Sequence, residues 1–298
     1  MPLHARLADW PRRPGQLPAT QRPARVLLAD PGRFDIAEVQ NVHMAGADGR
    51  PRRVDRSAAR RQWQALADAY RSGGVAVDVL PAVPGLPDLC FTANPSLYLP
   101  LPGGGGELWL ARMTHPSRRP EVEQHAAYAR ARGYVLREMP ARVTRFEGSG
   151  DGVVHPGRFL LHAGIGARTE RAAWEALAAA HPELDILLYA LADERFYHLD
   201  TALAPLDERS ALLVPQAFDR DGLELARAAF PDAIEVPLDE ALRFAANAHC
   251  PDGRHVLIQR GCARTEAALR ERGFTPVPLE TGEFIKSGGS VFCLKQAL

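Results

Sequence analysis

A pattern of amphipathic helix, short apolar strand, turn and phenylalanine recurs five times along this chain. It limits the fold more than any other feature. A repeated unit cannot bury its apolar face alone and must pack against its copies. The first copy is predicted as a helix over Ala58–Arg71, a strand over Val75–Leu80, then Phe91 and Asn94. The second has Val122–Arg132, Tyr134–Glu138, then Phe146 and Glu147. The third has Arg171–Ala180, Leu184–Tyr189, then Phe196 and His198. The fourth has Leu223–Phe230, Ala233–Val236, then Phe244 and Asn247. The fifth has Thr265–Arg272, Thr275–Pro278, then Phe284 and a glycine pair ahead of Cys293. The helices rest on faces such as Trp63, Leu66, Ala67 and Tyr70, spaced at the 3.6-residue period. Further strands are predicted at Ser96–Leu99, Glu107–Met113, Phe159–Ala163, Thr201–Pro205, Ala211–Val214 and Val256–Gln259.

Five copies could form an open row or close into a ring. An open row needs polar caps, and the last copy, ending at Leu298, is not polar. A ring brings equivalent positions of every copy toward one axis. The polar residues behind the phenylalanines would then converge: Asn94, Glu147 with Asp151, His198 with Asp200, Asn247, and Cys293. His198 and Asp200 are expected on a strand, where alternate residues share a face.

Charge narrows the partners. The chain holds 36 basic and 36 acidic residues, net zero, which argues against polyanion binding by surplus cations. It also argues against a polybasic membrane anchor. No apolar run is long enough to span a bilayer. Residues 1–24, with several prolines and arginines and no apolar signal core, are expected to form a flexible arm. Residues 25–298 are expected to form one domain. Four cysteines in 298 residues are too sparse for a disulfide framework, which points to free thiols and a cytoplasmic setting. His249, Cys250, His255 and Cys262 match no standard zinc spacing, so no metal is expected. Gly103–Gly106 has no Lys-Ser/Thr behind it and reads as a hairpin loop rather than a phosphate loop.

Five segments in order carry a family resemblance: PDLCFTAN at 87–94, FEGSGD at 146–151, GIGARTE at 164–170, DERFYHLDT at 193–201 and GGSVFCL at 288–294. They resemble the guanidino-group modifying enzymes of the pentein superfamily. The resemblance is greatest toward the arginine dihydrolase branch, through FTAN, FEGxGD and DERFYHLDT. NVHM at 41–44 is similar to that branch's Asn-Pro-His-Met motif, with Val42 in place of proline. The implied fold is α/β, a five-bladed propeller of pseudosymmetric ββαβ units, in agreement with the repeat count. The implied chemistry is hydrolysis of a guanidino C–N bond through a covalent thiouronium intermediate, without cofactor or metal. In a dihydrolase the ureido product is attacked again, giving ornithine and two ammonia in total.

Residue chemistry fits those roles. Cys293 is the expected nucleophile, since attack on a guanidinium carbon needs a thiolate. His198, with an ordinary pKa near neutrality, is the expected general acid and base. Glu147, Asp151 and Asp200 are natural partners for a planar five-donor cation. The resemblance implies that Glu147 supports the histidine or binds substrate, and that Asp200 holds guanidinium nitrogens. Arg118, in His115–Glu121, and Arg168 match positions that hold the substrate carboxylate. Asn94 stands where many guanidine deiminases carry an acid, and Asn41 is a further ligand candidate.

The expected partner is a small guanidino compound, with a homodimer as the assembly left open. Dimethylarginine dimethylaminohydrolase, arginine deiminase and amidinotransferase are the rival enzymes. Asp200 disfavours the first, because a carboxylate against both terminal nitrogens leaves little room for methyl groups. A non-catalytic pentein binding module is the rival of another class, and it predicts an inert Cys293.

Overall fold

Five small sheets hold the strands of residues 2–298, which the computed structural model describes. Three sheets repeat one plan. Ser96–Pro100 runs antiparallel to Gly106–Leu110, helix Arg119–Arg132 crosses over, and Val135–Glu138 returns parallel to the middle strand. Gly152–Val154, Leu160–Ile165, helix Arg171–Ala180 and Asp185–Ala190 repeat this order. So do Leu203–Pro205, Ala211–Leu213, helix Arg220–Ala229 and Ile234–Glu235. In the fourth, His255–Gln259 and Thr275–Leu279 are parallel around helix Ala263–Glu271, and the leading strand shrinks to one antiparallel bridge, His249 with Leu257. The fifth unit is assembled from distant parts of the chain. Helix Arg56–Ser72 joins the parallel strands Arg25–Ala29 and Ala76–Leu80, and Gln296–Ala297 supplies the antiparallel strand, Gln296 opposite Leu27.

The local reasons are visible in each unit. In helix Arg56–Ser72 the Asp55 carboxylate caps the Ala58 N–H at 3.0 Å. Ala59, Trp63, Leu66, Ala67 and Tyr70 form its buried stripe. Burying each large side chain contributes about 2 kcal/mol. Gly73 ends the helix, and Gly74 follows at φ 75°. Middle strands such as Leu160–Ile165 are buried along nearly their whole length, because helices and neighbouring units cover both faces. All five repeat phenylalanines are buried, and two from different copies, Phe91 and Phe284, meet edge to face at 6.2 Å.

Predicted helix starts and observed ones differ by up to three residues, as capping turns extend the periodic face. The larger difference is at the start of the chain. Residues 2–24, expected as a flexible arm, are packed against the body; Met1 lies outside the described residues. Leu3–His4 pairs in parallel with Asp185–Ala190. The Trp10 indole, 1% exposed, donates to Asp185 at 2.9 Å, and Arg12 pairs with the same carboxylate. Leu17 is buried, and the Thr20 N–H reaches the Gly157 carbonyl. The prolines that suggest disorder sit instead in short 3-10 turns and extended stretches that need no regular ladder. No helix among the described residues is long and apolar enough to cross a membrane.

Candidate active site

Cys293 lies just before the closing strand Gln296–Ala297, on a segment that approaches its neighbours closely. Gly288 has φ 86°, and a Cβ there would stand 2.7 Å from the Tyr197 hydroxyl. A Cβ at Gly289 would meet the Phe91 ring at 2.6 Å. Asn247 holds the segment in place. Its Oδ1 accepts from the N–H groups of Ser290 at 2.9 Å and Cys293 at 3.3 Å. Its Nδ2 donates to the Asp200 carbonyl at 2.9 Å and to Cys293 Sγ at 3.2 Å. Three residues earlier, Phe244 is the one non-glycine with positive φ among the described residues, at 67°. Such a conformation costs about 1–3 kcal/mol, and the Asn247 N–H closes the turn on the Phe244 carbonyl at 3.1 Å.

The Cys293 thiol donates to Asp200 Oδ2 at 3.2 Å. Burial, reinforced by the Asp200 charge, pushes its pKa well above the ordinary thiol value. The resting group is therefore a thiol, and ionisation needs a positive charge brought beside it. Burial also raises Asp200, to about 6, and its Oδ1 is buried without a partner. At neutral pH Asp200 thus offers a carboxylate oxygen with no donor of its own.

His198 does not lie on the expected strand. It caps a 3-10 turn, Leu199–Thr201, and the Thr201 hydroxyl closes that turn on the His198 carbonyl at 2.7 Å. The turn, rather than strand alternation, sets the direction of His198 and Asp200. His198 Nε2 lies 2.9 Å from Glu147 Oε2 and 4.0 Å from Asp151 Oδ2. Burial alone would lower its pKa; the Asp151, Glu147 and Asp200 carboxylates outweigh burial and raise it. Glu147 is fully buried, yet its pKa is held well below the usual carboxylate range. Burial opposes that shift, and His198, Arg168 and Arg118 overcome it. Arg168 donates to Glu147 at 3.2 Å, and the Thr114 N–H donates at 3.1 Å. Asp151, in the short helix Gly148–Asp151, accepts the Leu199 N–H at 3.1 Å and keeps Oδ2 unpartnered.

Arg118, expected to hold a substrate carboxylate, already has partners within the protein. It makes a bidentate pair with Glu121, at 2.8 Å from Nη2, and donates from Nη1 to Asn94 Oδ1 at 3.2 Å. That bond fixes the Asn94 amide, so its NH2 faces His198 Nδ1 at 3.5 Å. Arg168 donates its other nitrogen to the Gln40 carbonyl at 2.9 Å, and Asn41 donates to the Ser287 carbonyl at 3.1 Å. Cys293, Asn41, Asn94, Arg118 and Arg168 line one small cavity of about 20 Å³. Glu147, His198 and Asp200 stand one layer behind it, joined to the lining by the bonds above, and Asp151 lies behind His198 at 4.0 Å. Sequence pattern gave no role to two further groups. Asp88 lines the cavity with an unpartnered, buried Oδ1, and burial raises its pKa. Its only signal is an acid inside an apolar motif, PDLCF. Glu121 closes the His115–Glu121 segment that carries Arg118, three residues after it, and pairs with it at 2.8 Å. The other three cysteines are buried, and burial pushes Cys250 and Cys262 up to about 12. Among the described residues no group of three or more His, Cys, Asp or Glu is placed to hold a metal.

Comparison with known proteins places this geometry in a family. The family model "N,N dimethylarginine dimethylhydrolase, eukaryotic" matches residues 30–297. An N(G),N(G)-dimethylarginine dimethylaminohydrolase of Mycobacterium tuberculosis is 35% identical over 279 residues, 92% of this chain and 85% of that protein. A bifunctional arginine dihydrolase/ornithine cyclodeaminase of Nostoc is 32% identical over 272 residues; the match spans 91% of this chain but only 37% of that protein. The crystal structure of the substrate-bound N-terminal domain of a cyanobacterial arginine dihydrolase superposes with TM-score 0.84 at 29% identity, covering 91% of this chain and 96% of that one. The chain therefore belongs to the dimethylarginine dimethylaminohydrolase family, within the guanidino-group modifying hydrolases of the pentein superfamily, enzymes that act on C–N bonds of amidines.

Proposed function

We propose that the protein is an arginine dihydrolase that uses Cys293 as nucleophile, releases two ammonia molecules and ends at ornithine. We further propose that the five units are the blades of one closed ring, residues 25–298 forming a single catalytic domain. The ring reading is supported by the pairing of Gln296–Ala297 with Arg25–Ala29. In the reaction, the guanidinium enters against the free oxygen of Asp200, and its charge favours the Cys293 thiolate. The sulfur attacks the central carbon. His198, oriented by Glu147, protonates the leaving nitrogen, and ammonia departs. His198 then takes a proton from water, which attacks the thiouronium carbon and releases the ureido product. A second round consumes water and gives ornithine, carbon dioxide and a second ammonia. Asp88 and the two arginines would hold the α-ammonium and α-carboxylate. Residues 36–54 bring Gln40, Asn41 and Met44 to the cavity wall beside Ser287, Gly288 and Gly289.

One observation carries this reading. Asp200 keeps one oxygen on the thiol and the other buried without a donor. An unsubstituted guanidinium can supply that donor from either terminal nitrogen, whereas dimethylarginine can do so only from its unmethylated one and must then place the two methyl groups in the remaining space. The second reading, dimethylarginine hydrolysis, is favoured by the family model and the mycobacterial relative. Incubation with arginine, citrulline and dimethylarginine, counting ammonia and dimethylamine per substrate consumed, separates them. Two ammonia per arginine are expected. One ammonia with citrulline accumulating, or dimethylamine alone, overturns the dihydrolase reading.

A further inference from the structure

A second cavity, of about 80 Å³, shares no lining residue with the first. Cys293 opens to one, and Phe292 and Lys295 open to the other. Gln21–Pro23 of the packed N-terminal segment forms one wall. Its charge is one-sided: Arg22 and Lys295 line it, and no Asp or Glu does. Lys295, one of only two lysines in the chain, is 2% exposed. Its ammonium lies 3.1 Å from the Phe292 ring centroid and makes no hydrogen bond; Asp200 and Cys293 act on it only through space. Arg22 is equally underused, with one bond of 3.4 Å to the Leu206 carbonyl. A buried cation without an anionic partner is costly, and natural interiors normally supply one.

We propose that this cavity is a binding site for a small oxyanion, held between Lys295 and Arg22 on the side of Cys293 away from substrate. The volume matches a few water-sized positions, enough for bicarbonate, phosphate or a short carboxylate. Lys295 supplies three donors as a point charge, and Arg22 supplies a planar fork. His249 and His155 stay neutral, because burial holds both low. Asp200 and Cys293 act on Lys295 from the reacting side; His249 feels both Lys295 and Arg22, and Tyr98, His155 and Cys250 complete the titratable lining of the cavity. Burial lowers Lys295 to about 7, and a neighbouring anion would raise it again. Binding therefore takes up protons above neutral pH and weakens as pH rises.

The test is calorimetry on the full chain, titrating phosphate, bicarbonate and acetate separately against sodium chloride of equal ionic strength. Saturable one-to-one binding of at least one anion is expected. At pH 8 its heat should differ between buffers of different ionisation enthalpy. Lys295→Met should weaken binding at least tenfold and remove the buffer dependence. Arg22→Gln, at a partly exposed position, should weaken it severalfold and keeps the test valid if the lysine variant misfolds. Absence of saturable binding by all three anions overturns the proposal. So does binding that survives both variants but is lost in Arg168→Gln, which would locate the anion in the first cavity. None of these measurements depends on turnover, so failure here is distinct from failure of the dihydrolase reading.

Discussion

Replacing Asn247 by alanine removes four hydrogen bonds at once. Two are well formed, at 2.9 Å to Ser290 N and the Asp200 carbonyl, and two are longer, to Cys293 N and Sγ. Each bond contributes about 1 kcal/mol net, and the buried backbone groups left behind lose their partner as well. A total loss of about 3–4 kcal/mol follows. Unfolding entropy scales with length at about 2 cal/mol/K per residue, so Tm should fall by about 5–6 °C for a chain of this size. Activity should fall further than stability implies. The amide fixes both the backbone under Cys293 and the carbonyl of Asp200, and a misplacement near 1 Å costs on the order of a hundredfold in rate. Asn247→Asp retains the acceptor side but sets a negative charge beside the thiol. It should recover part of the Tm and none of the activity at neutral pH. Thermal denaturation by circular dichroism and steady-state ammonia release are the two measurements. An alanine variant with unchanged Tm and kcat would refute the assignment of Asn247 as the residue that positions Cys293.

Asp200→Asn should trade activity for stability. A carboxyl whose folded pKa, about 6, lies above its unfolded value near 4 loses stability as pH rises through that window, by about 3 kcal/mol at most. The asparagine variant should therefore unfold at higher temperature than the wild type at pH 8, lose that advantage at pH 4, and release no ammonia; equal melting at both pH values would contradict the shift. Glu147 has the opposite sign: its folded pKa is depressed, so its contribution is present above about pH 4 and lost as pH falls below. Glu147→Gln should flatten the acid limb of the Tm–pH curve, and an unchanged limb would count against the His198 contact. Arg118→Lys keeps the charge but loses the bidentate fork on Glu121 and the bond to Asn94, so KM should rise at least tenfold; wild-type KM would show that neither bond matters to substrate. Cys293→Ser should abolish turnover with far-ultraviolet spectrum and melting intact, and residual turnover would mean another nucleophile.

Local periodicity made the repeat legible. Trp63, Leu66, Ala67 and Tyr70 announce their helix without any partner, and all five phenylalanines are indeed buried. What could not be read depends on residues far away in sequence. Trp10 and Arg12 look like arm residues until Asp185 is placed beneath them. The bonds of Arg118 to Glu121 and Asn94 could not be read, because they depend on helix placement and on a second unit. His198 reads as a strand residue because a single turn of 3-10 helix leaves no periodic signature. Asn247 could be listed among converging polar residues, but its four bonds exist only once the Cys293 segment folds over it.

The strand that closes the fifth unit gives the protein a built-in order of assembly. Leu27 and its partner Gln296 are 269 residues apart in sequence. During synthesis, Arg25–Ala29 emerges well before its antiparallel neighbour. The Cys293 segment leads directly into that late strand. The strands of the other four sheets are thus made before the segment that carries the proposed nucleophile. Such distant pairing is slow to form. If Cys293 is the nucleophile, as proposed, activity is expected only once residues 296–297 dock on Arg25–Ala29. A chain truncated before residue 296 is therefore expected to release no ammonia.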